Sequence, residues 1–287
     1  MSEIRKVGVI GLGAMGAGIA QVCIQAGIPT VGREVTAELC ERARAGIERQ
    51  LARGVERERL TEAEKDEALT LLELTTELGA LSGCDLVIEA IVEELGPKQH
   101  LFGELDGIVG GGCVLATNTS ALSVTEIASA TARPERVVGL HFFNPAPVLQ
   151  LVEVVKGELS SDGTVDAAFA FAQRIGKQPI RARDTPGFVV NRILIPTLID
   201  AVRVLEEGTA SAEDIDAGMK LGTGWPIGPL ALIDLIGVDV TVHAAEAMAA
   251  AYGDPRFNPT ETLARMLEAG QLGRKSGRGF YSYDGGA

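Results

Sequence analysis

From Val7 to Gly32 the chain carries no charged residue, and Arg5 and Lys6 stand before this run like the basic start of a signal peptide. A membrane-spanning helix or a secretory core would be richer in Leu and Val. Here Gly8, Gly11, Gly13, Gly16 and Gly18 punctuate the run, and Gln21 and Gln25 lie inside it. The remaining solution is a strand buried on both faces, Val7-Gly-Val-Ile10, followed by a glycine loop and a buried helix that stops at Gly27. A second short strand, Thr30 to Arg33, ends at Glu34. Strand, glycine loop, helix, strand and acid in that order make the first unit of a dinucleotide-binding fold.

The rest of the chain fits an α/β protein with two domains. Apolar residues are 46% and charged residues 23%, the balance of a globular protein. A net charge of −13 and only 4% aromatics exclude a nucleic-acid partner and disfavour an anionic membrane. Cys23, Cys40, Cys84 and Cys113 are far apart and away from histidines, so we expect reduced thiols in a cytoplasmic protein and no metal site. Residues 37–72 read as an arm of two charged helices, the second opening with the capping box Thr61-Glu-Ala-Glu64. Strands are expected at 86–88, 114–117, 137–140, 151–155 and 180–183, with helices between them, one beginning at Ser123-Val-Thr-Glu126. That alternation implies a Rossmann-type, doubly wound, mostly parallel sheet. After Asp184-Thr-Pro-Gly187 only helices are expected, including 189–207, 212–221 and 231–251. The boundary is placed at residue 185, giving a nucleotide-binding domain over 1–185 and an all-α domain over 186–287.

In the loop Gly11-Leu12-Gly13-Ala14-Met15-Gly16 each glycine has its own task. Gly11 makes the turn, Gly13 admits a pyrophosphate to the backbone, and Gly16 lets the helix pack on the strand. The free amides of the helix start then face the phosphates. Glu34 is placed to accept both adenosine ribose hydroxyls and to repel a 2′-phosphate, which selects NAD over NADP; Arg33 beside it is the opposing signal. Hydride transfer from an alcohol needs a base. Of the histidines His100, His141 and His243, only His141 stands at the carboxyl end of an expected parallel strand. Glu153 interrupts the apolar strand Leu151-Val-Glu-Val-Val155 on the face of Leu151 and Val155. It is either a strand acid facing water or a buried partner for His141.

The chain resembles the L-3-hydroxyacyl-CoA dehydrogenases over nearly its whole length. The stretches that carry the likeness include residues 11–20, Ile88-Glu-Ala-Ile-Val-Glu93, Thr117-Asn-Thr-Ser120 and Gly139-Leu-His-Phe-Phe-Asn-Pro-Ala-Pro147. They continue with Leu151–Val155, Asp184-Thr-Pro-Gly-Phe-Val-Val-Asn-Arg192, Trp225-Pro-Ile-Gly-Pro229 and residues 273–281. The resemblance implies NAD as cofactor, a 3-hydroxyacyl-CoA such as (S)-3-hydroxybutyryl-CoA as substrate, and a homodimer formed through the helical domain. It makes His141 and Glu153 the catalytic pair, with Ser120 and Asn191 on the substrate oxygens. It places Glu93, Lys98, Ser120, Asn144 and Lys275 around the cofactor.

Three departures from the family pattern stand out. Glu34 replaces a shorter aspartate, Gly32 takes an apolar position and is expected to leave space near the adenosine, and Ala121 replaces a second serine after Ser120. Arg42, Arg44, Arg49, Arg53, Arg57 and Arg59 of the arm either receive CoA phosphates or form a solvated helix face. Two other readings keep the fold. One is the same chemistry on a substrate carried by acyl carrier protein; the other is a catalytically idle NAD-binding homologue. A 3-hydroxyacid dehydrogenase would need a lysine on a glycine-rich helix, and Gly218-Met-Lys-Leu-Gly-Thr-Gly224 is followed by Gly228 where that lysine should be. A short-chain reductase is excluded, because Tyr252, Tyr281 and Tyr283 have no lysine four residues on.

Overall fold

A computed structural model describes residues 3–283, and the chain divides into two units between Thr185 and Pro186. In the first unit β1 (Val7–Ile10), α1 (Ala14–Gln25) and β2 (Thr30–Arg33) form the opening strand-helix-strand crossover. The arm follows as α2 (Ala37–Glu56) and α3 (Glu62–Thr70). Thr36 caps the former by accepting from the Leu39 amide, and the Thr61–Glu64 capping box starts the latter. Then come β3 (Leu72–Thr75), β4 (Leu86–Glu89), α4 (Leu95–Ile108), β5 (Val114–Thr117), α5 (Val124–Ala128) and β6 (Val137–Phe142). The unit ends with β7 (Leu151–Lys156), α6 (Asp162–Arg174) and β8 (Gln178–Arg183).

These strands form one sheet in the order β3-β2-β1-β4-β5-β6-β7-β8. From β3 to β6 all pairs are parallel, β6 pairs antiparallel with β7, and β7 pairs parallel with β8. The expected doubly wound, mostly parallel sheet is thus present. Its order reverses between β1 and β4, both buried along their full length, as apolar runs covered on two faces must be. Ile19, Cys23 and Ile24 of α1 join this core. Each isoleucine contributes about 1.5–3 kcal/mol by leaving water.

The second unit contains α7 (Val190–Glu206), α8 (Ala212–Thr223), α9 (Pro229–Ile236), α10 (Val238–Tyr252) and α11 (Glu261–Glu268). Ile195, Leu198, Ile199 and Val202 recur at helical spacing on α7 and share a core with Leu230, Ile233, Val242 and Met248. The single helix expected over 231–251 is broken at Gly237, whose φ of +112° lies outside helical space. The residues after Gly273 are tied down by two buried carboxylates. Asp234 accepts from the amides of Phe280 and Tyr281 and from the Tyr283 hydroxyl. Asp216 accepts from the first amides of α9 and from the Tyr281 hydroxyl. A second departure from the sequence reading lies in the arm: Leu72 starts β3 instead of ending a helix. Among the described residues no helix is long and apolar enough to cross a membrane.

Candidate active site

Because β1, β2, β4, β5 and β6 run the same way, their carboxyl ends share one edge of the sheet. The glycine loop leaves β1 at that edge, beside β4, where the strand order reverses. Gly11 has a φ of +81°, and a Cβ on it would lie 2.7 Å from the Ala90 carbonyl oxygen. A Cβ on Gly16 would lie 1.8 Å from the Gly11 carbonyl oxygen, so the helix packs this closely only through glycine. A Cβ on Gly13 would meet nothing within 4 Å, and no side chain caps α1 there. Open backbone and an uncapped helix start fit a pyrophosphate. Ala14 is exposed, Met15 half-buried and Leu12 buried.

Glu34 follows the tip of β2 and folds back onto this loop. One of its oxygens accepts from the Leu12 amide at 2.5 Å, and the other from the Val35 amide at 3.1 Å. Arg33 turns elsewhere, donating its Nε to the Thr76 carbonyl. The space expected at Gly32 is not there. A Cβ on Gly32 would come within 2.9 Å of Leu12 and 2.7 Å of Leu74, whose side chains occupy it. Gly32 therefore gives room to the buried loop residue and not to the adenosine.

Beyond β4 and β5 a chain of charges holds the Ser120 turn. Lys98 is 1% exposed and lies between Glu89, at 2.5 Å, and Glu93, at 3.3 Å. Glu89 also accepts from the Thr117 hydroxyl and the Ile91 amide. Glu93 Oε1 accepts from the Thr119 hydroxyl at 2.7 Å, the Ser120 amide at 2.6 Å, the Ser120 hydroxyl at 3.1 Å and the Ala121 amide at 3.2 Å. Burial pushes the Glu93 carboxyl up, but Lys98 and these donors outweigh it and hold it below the ordinary carboxylate range. On the far side of the turn Asp184 accepts from Ser123, Val124 and Thr125 at the start of α5.

His141 and Glu153 face each other across the antiparallel β6–β7 pair, with Glu153 Oε2 2.7 Å from His141 Nδ1. They are 6% and 0% exposed. Since a carboxylate can only accept, Nδ1 donates, and in a neutral imidazole Nε2 is then the basic nitrogen. The Phe143 ring packs 4.4 Å from the imidazole, and the Asn118 side chain accepts from the Phe142 amide at 2.9 Å.

Asn144 is exposed in the connection between β6 and β7. Asn191 and Lys275 belong to the second unit: Asn191 is half-buried in the first turn of α7, and exposed Lys275 pairs with Asp239. In the arm, Arg44 donates to the Leu72 carbonyl, whereas Arg42, Arg49, Arg53, Arg57 and Arg59 are exposed. The sequence reading missed Glu89 and Asn118. Glu89 carried a signal like the one that marked Glu153, an acid in an otherwise apolar strand.

Residues 6–185 match the model of the 3-hydroxyacyl-CoA dehydrogenase NAD binding domain, and residues 187–283 match that of the C-terminal domain. The chain belongs to the 3-hydroxyacyl-CoA dehydrogenase family. A 3-hydroxybutyryl-CoA dehydrogenase of Mycobacterium tuberculosis is 45% identical to it over 98% of this chain and 99% of that protein. The mitochondrial hydroxyacyl-coenzyme A dehydrogenase of Rattus norvegicus is 43% identical over 98% of this chain and 91% of its own. The crystal structure of (S)-3-hydroxybutyryl-CoA dehydrogenase PaaH1 from Ralstonia eutropha superposes with a TM-score of 0.95 at 43% identity, covering 99% of this chain and all of that one. This member of the 3-hydroxyacyl-CoA dehydrogenases is an NAD-dependent oxidoreductase, and its glycine loop and Glu34 suit that cofactor.

Proposed function

We propose that the protein interconverts (S)-3-hydroxybutyryl-CoA, or another 3-hydroxyacyl-CoA, and its 3-oxo form, with His141 as the acid and base. The observation that carries this reading is the buried 2.7 Å contact between His141 Nδ1 and Glu153. Glu153 fixes the tautomer, so that Nε2 takes the proton of the 3-hydroxyl during oxidation. It then stabilises the imidazolium that results, as the acid does in a hydrolase triad. In reduction the same imidazolium returns the proton to the developing alkoxide. Bound NAD supplies the nicotinamide that exchanges a hydride with the substrate C3. Gly11 to Gly16 would cradle its pyrophosphate and Glu34 its ribose, with Glu93, Lys98, Ser120, Asn144 and Lys275 completing the cofactor surroundings. Ser120 and Asn191 would hold the substrate oxygens, and exposed arm arginines the CoA phosphates.

The protein would work as a homodimer joined through its second unit, whose Ile193, Leu221, Leu235 and Val240 are exposed. The stretch Ala244–Ala251 turns Ala245 and Met248 into its own core and leaves the other face for a partner. Free thiols at all four cysteines suit the cytoplasm. Steady-state kinetics followed by NADH absorbance test the reading. Acetoacetyl-CoA should be reduced with a higher kcat/KM than acetoacetyl-acyl carrier protein. The reverse ranking would reassign the carrier, and no turnover on either would overturn the four-carbon substrate.

A further inference from the structure

Lys177 is a buried cation that the chemistry above does not use. It lies between α6 and β8, is 8% exposed, and donates its Nζ to the carbonyls of Ala146, at 2.5 Å, and Leu149, at 2.9 Å. Among the described residues no carboxylate pairs with it. Its other charged-capable neighbour is Cys23 of α1, whose thiol burial pushes up to about 12, so that it stays neutral. Burying an ammonium against carbonyls alone is costly, and burial accordingly lowers the affinity of Lys177 for its proton.

What the cation holds is the connection between the strands that carry His141 and Glu153. Inside it, the amides of Val148 and Leu149 both donate to the Pro145 carbonyl, forming a turn whose Ala146 and Leu149 carbonyls accept from Lys177. The opposite side of the connection lies on the nucleotide helix: a Cβ on Gly18 would be 3.0 Å from Pro147 and 3.2 Å from Ala146. Asn144 and Phe143 precede this clamped segment, and Phe143 packs on the His141 ring.

We propose that Lys177 is a positioning residue, which presses the β6–β7 connection onto α1 and so sets Asn144 at the cofactor. This rests on the assignment of Asn144 made above. The ammonium acts through the main chain and touches neither substrate nor cofactor. A hydrophobic residue would fill the same space but leave two carbonyls without donors.

Lys177→Met, compared with Lys177→Arg and Asn144→Ala in the full-length protein, tests this. Lys177→Met should lower kcat/KM for NADH on the order of tenfold through KM, as a small displacement of a binding group does. Its kcat should keep the wild-type pH profile, because the dyad is untouched. Lys177→Arg, with a cation that can still donate, should recover most of the loss. Joined to Asn144→Ala, Lys177→Met should add little, since both act through one group. Unchanged NADH affinity in Lys177→Met, or multiplicative losses in the double variant, overturns the proposal. Unchanged affinity in Asn144→Ala overturns the underlying assignment and the proposal with it, and only this failure spares the single Asn144 variant. Circular dichroism melts establish that each variant is folded. Where Lys177→Met is not, Lys177→Gln, an amide donor on a shorter stem, carries the same comparisons.

Discussion

Glu153 stands opposite His141 in strand register, and its Oε2 lies 2.7 Å from His141 Nδ1 with both side chains buried. His141→Gln should therefore lower kcat by about 10²–10⁴-fold, the usual contribution of a positioned acid or base. NADH binding should hardly change. Glu153→Gln should also impair turnover and shift the pH profile of kcat, because the imidazolium loses its anion. The two act as a unit, so the double variant should be little worse than His141→Gln alone. Multiplicative losses would show that Glu153 works independently.

Glu34 accepts from the Leu12 amide and is the residue proposed for the ribose. Glu34→Ala should weaken NADH by about 1.5–3 kcal/mol for the charge-assisted bonds lost, and should weaken NADPH less. Glu34→Gln keeps an acceptor for the amide and removes the charge, so it should bind NADPH better than wild type. Fluorescence titration of both cofactors decides; equal losses for both would take Glu34 out of the ribose site.

Gly32→Val should damage the cofactor loop without touching a ligand. Its side chain would enter the space of Leu12 and Leu74. Overpacking of this kind costs about 1–3 kcal/mol. We expect a lower urea midpoint together with a raised KM for NADH. A variant that loses neither would mean that Leu12 moves aside freely.

Glu93 should show itself in acid. Its folded-state pKa is lowered, so its contribution to stability is complete above the ordinary glutamate value of about 4.3. It fades as the pH falls from there through the folded value. In Glu93→Gln, urea midpoints between neutral and acid pH should vary less than in wild type. An identical pH dependence in the two proteins would show that the Lys98 and Ser120 contacts leave its proton affinity unchanged.

The sheet was legible because buried parallel strands declare themselves as short apolar runs, and the helix starts because Thr61 and Ser123 are followed by glutamates at the capping distance. β3 was not. Four residues of Leu-Glu-Leu-Thr directly after a helix give too short a pattern to separate a strand end from a helix end. The break at Gly237 was hidden because Ala231–Ala251 is mostly apolar on both sides of it, and only the +112° φ reveals the turn. At the site, the strand position of Glu153 hinted at burial, but spacing could not tell that β7 runs antiparallel to β6 and meets His141 in register. Lys98 and Lys177 look like surface lysines, since nothing local announces the carboxylates and carbonyls that the fold brings to them. Asp216 and Asp234 were missed for the same reason.

The antiparallel β6–β7 pair places both halves of the dyad within one contiguous stretch, Val137–Lys156. A single exchanged segment could thus carry the proposed acid–base pair, its strand register and the connection between them from one relative to another. Ser120, Glu93 and Asn191 offer no such convenience, for each arrives from a separate part of the chain. Recombination between relatives would then preserve the His141–Glu153 pair intact while reshuffling the groups proposed to hold substrate and cofactor.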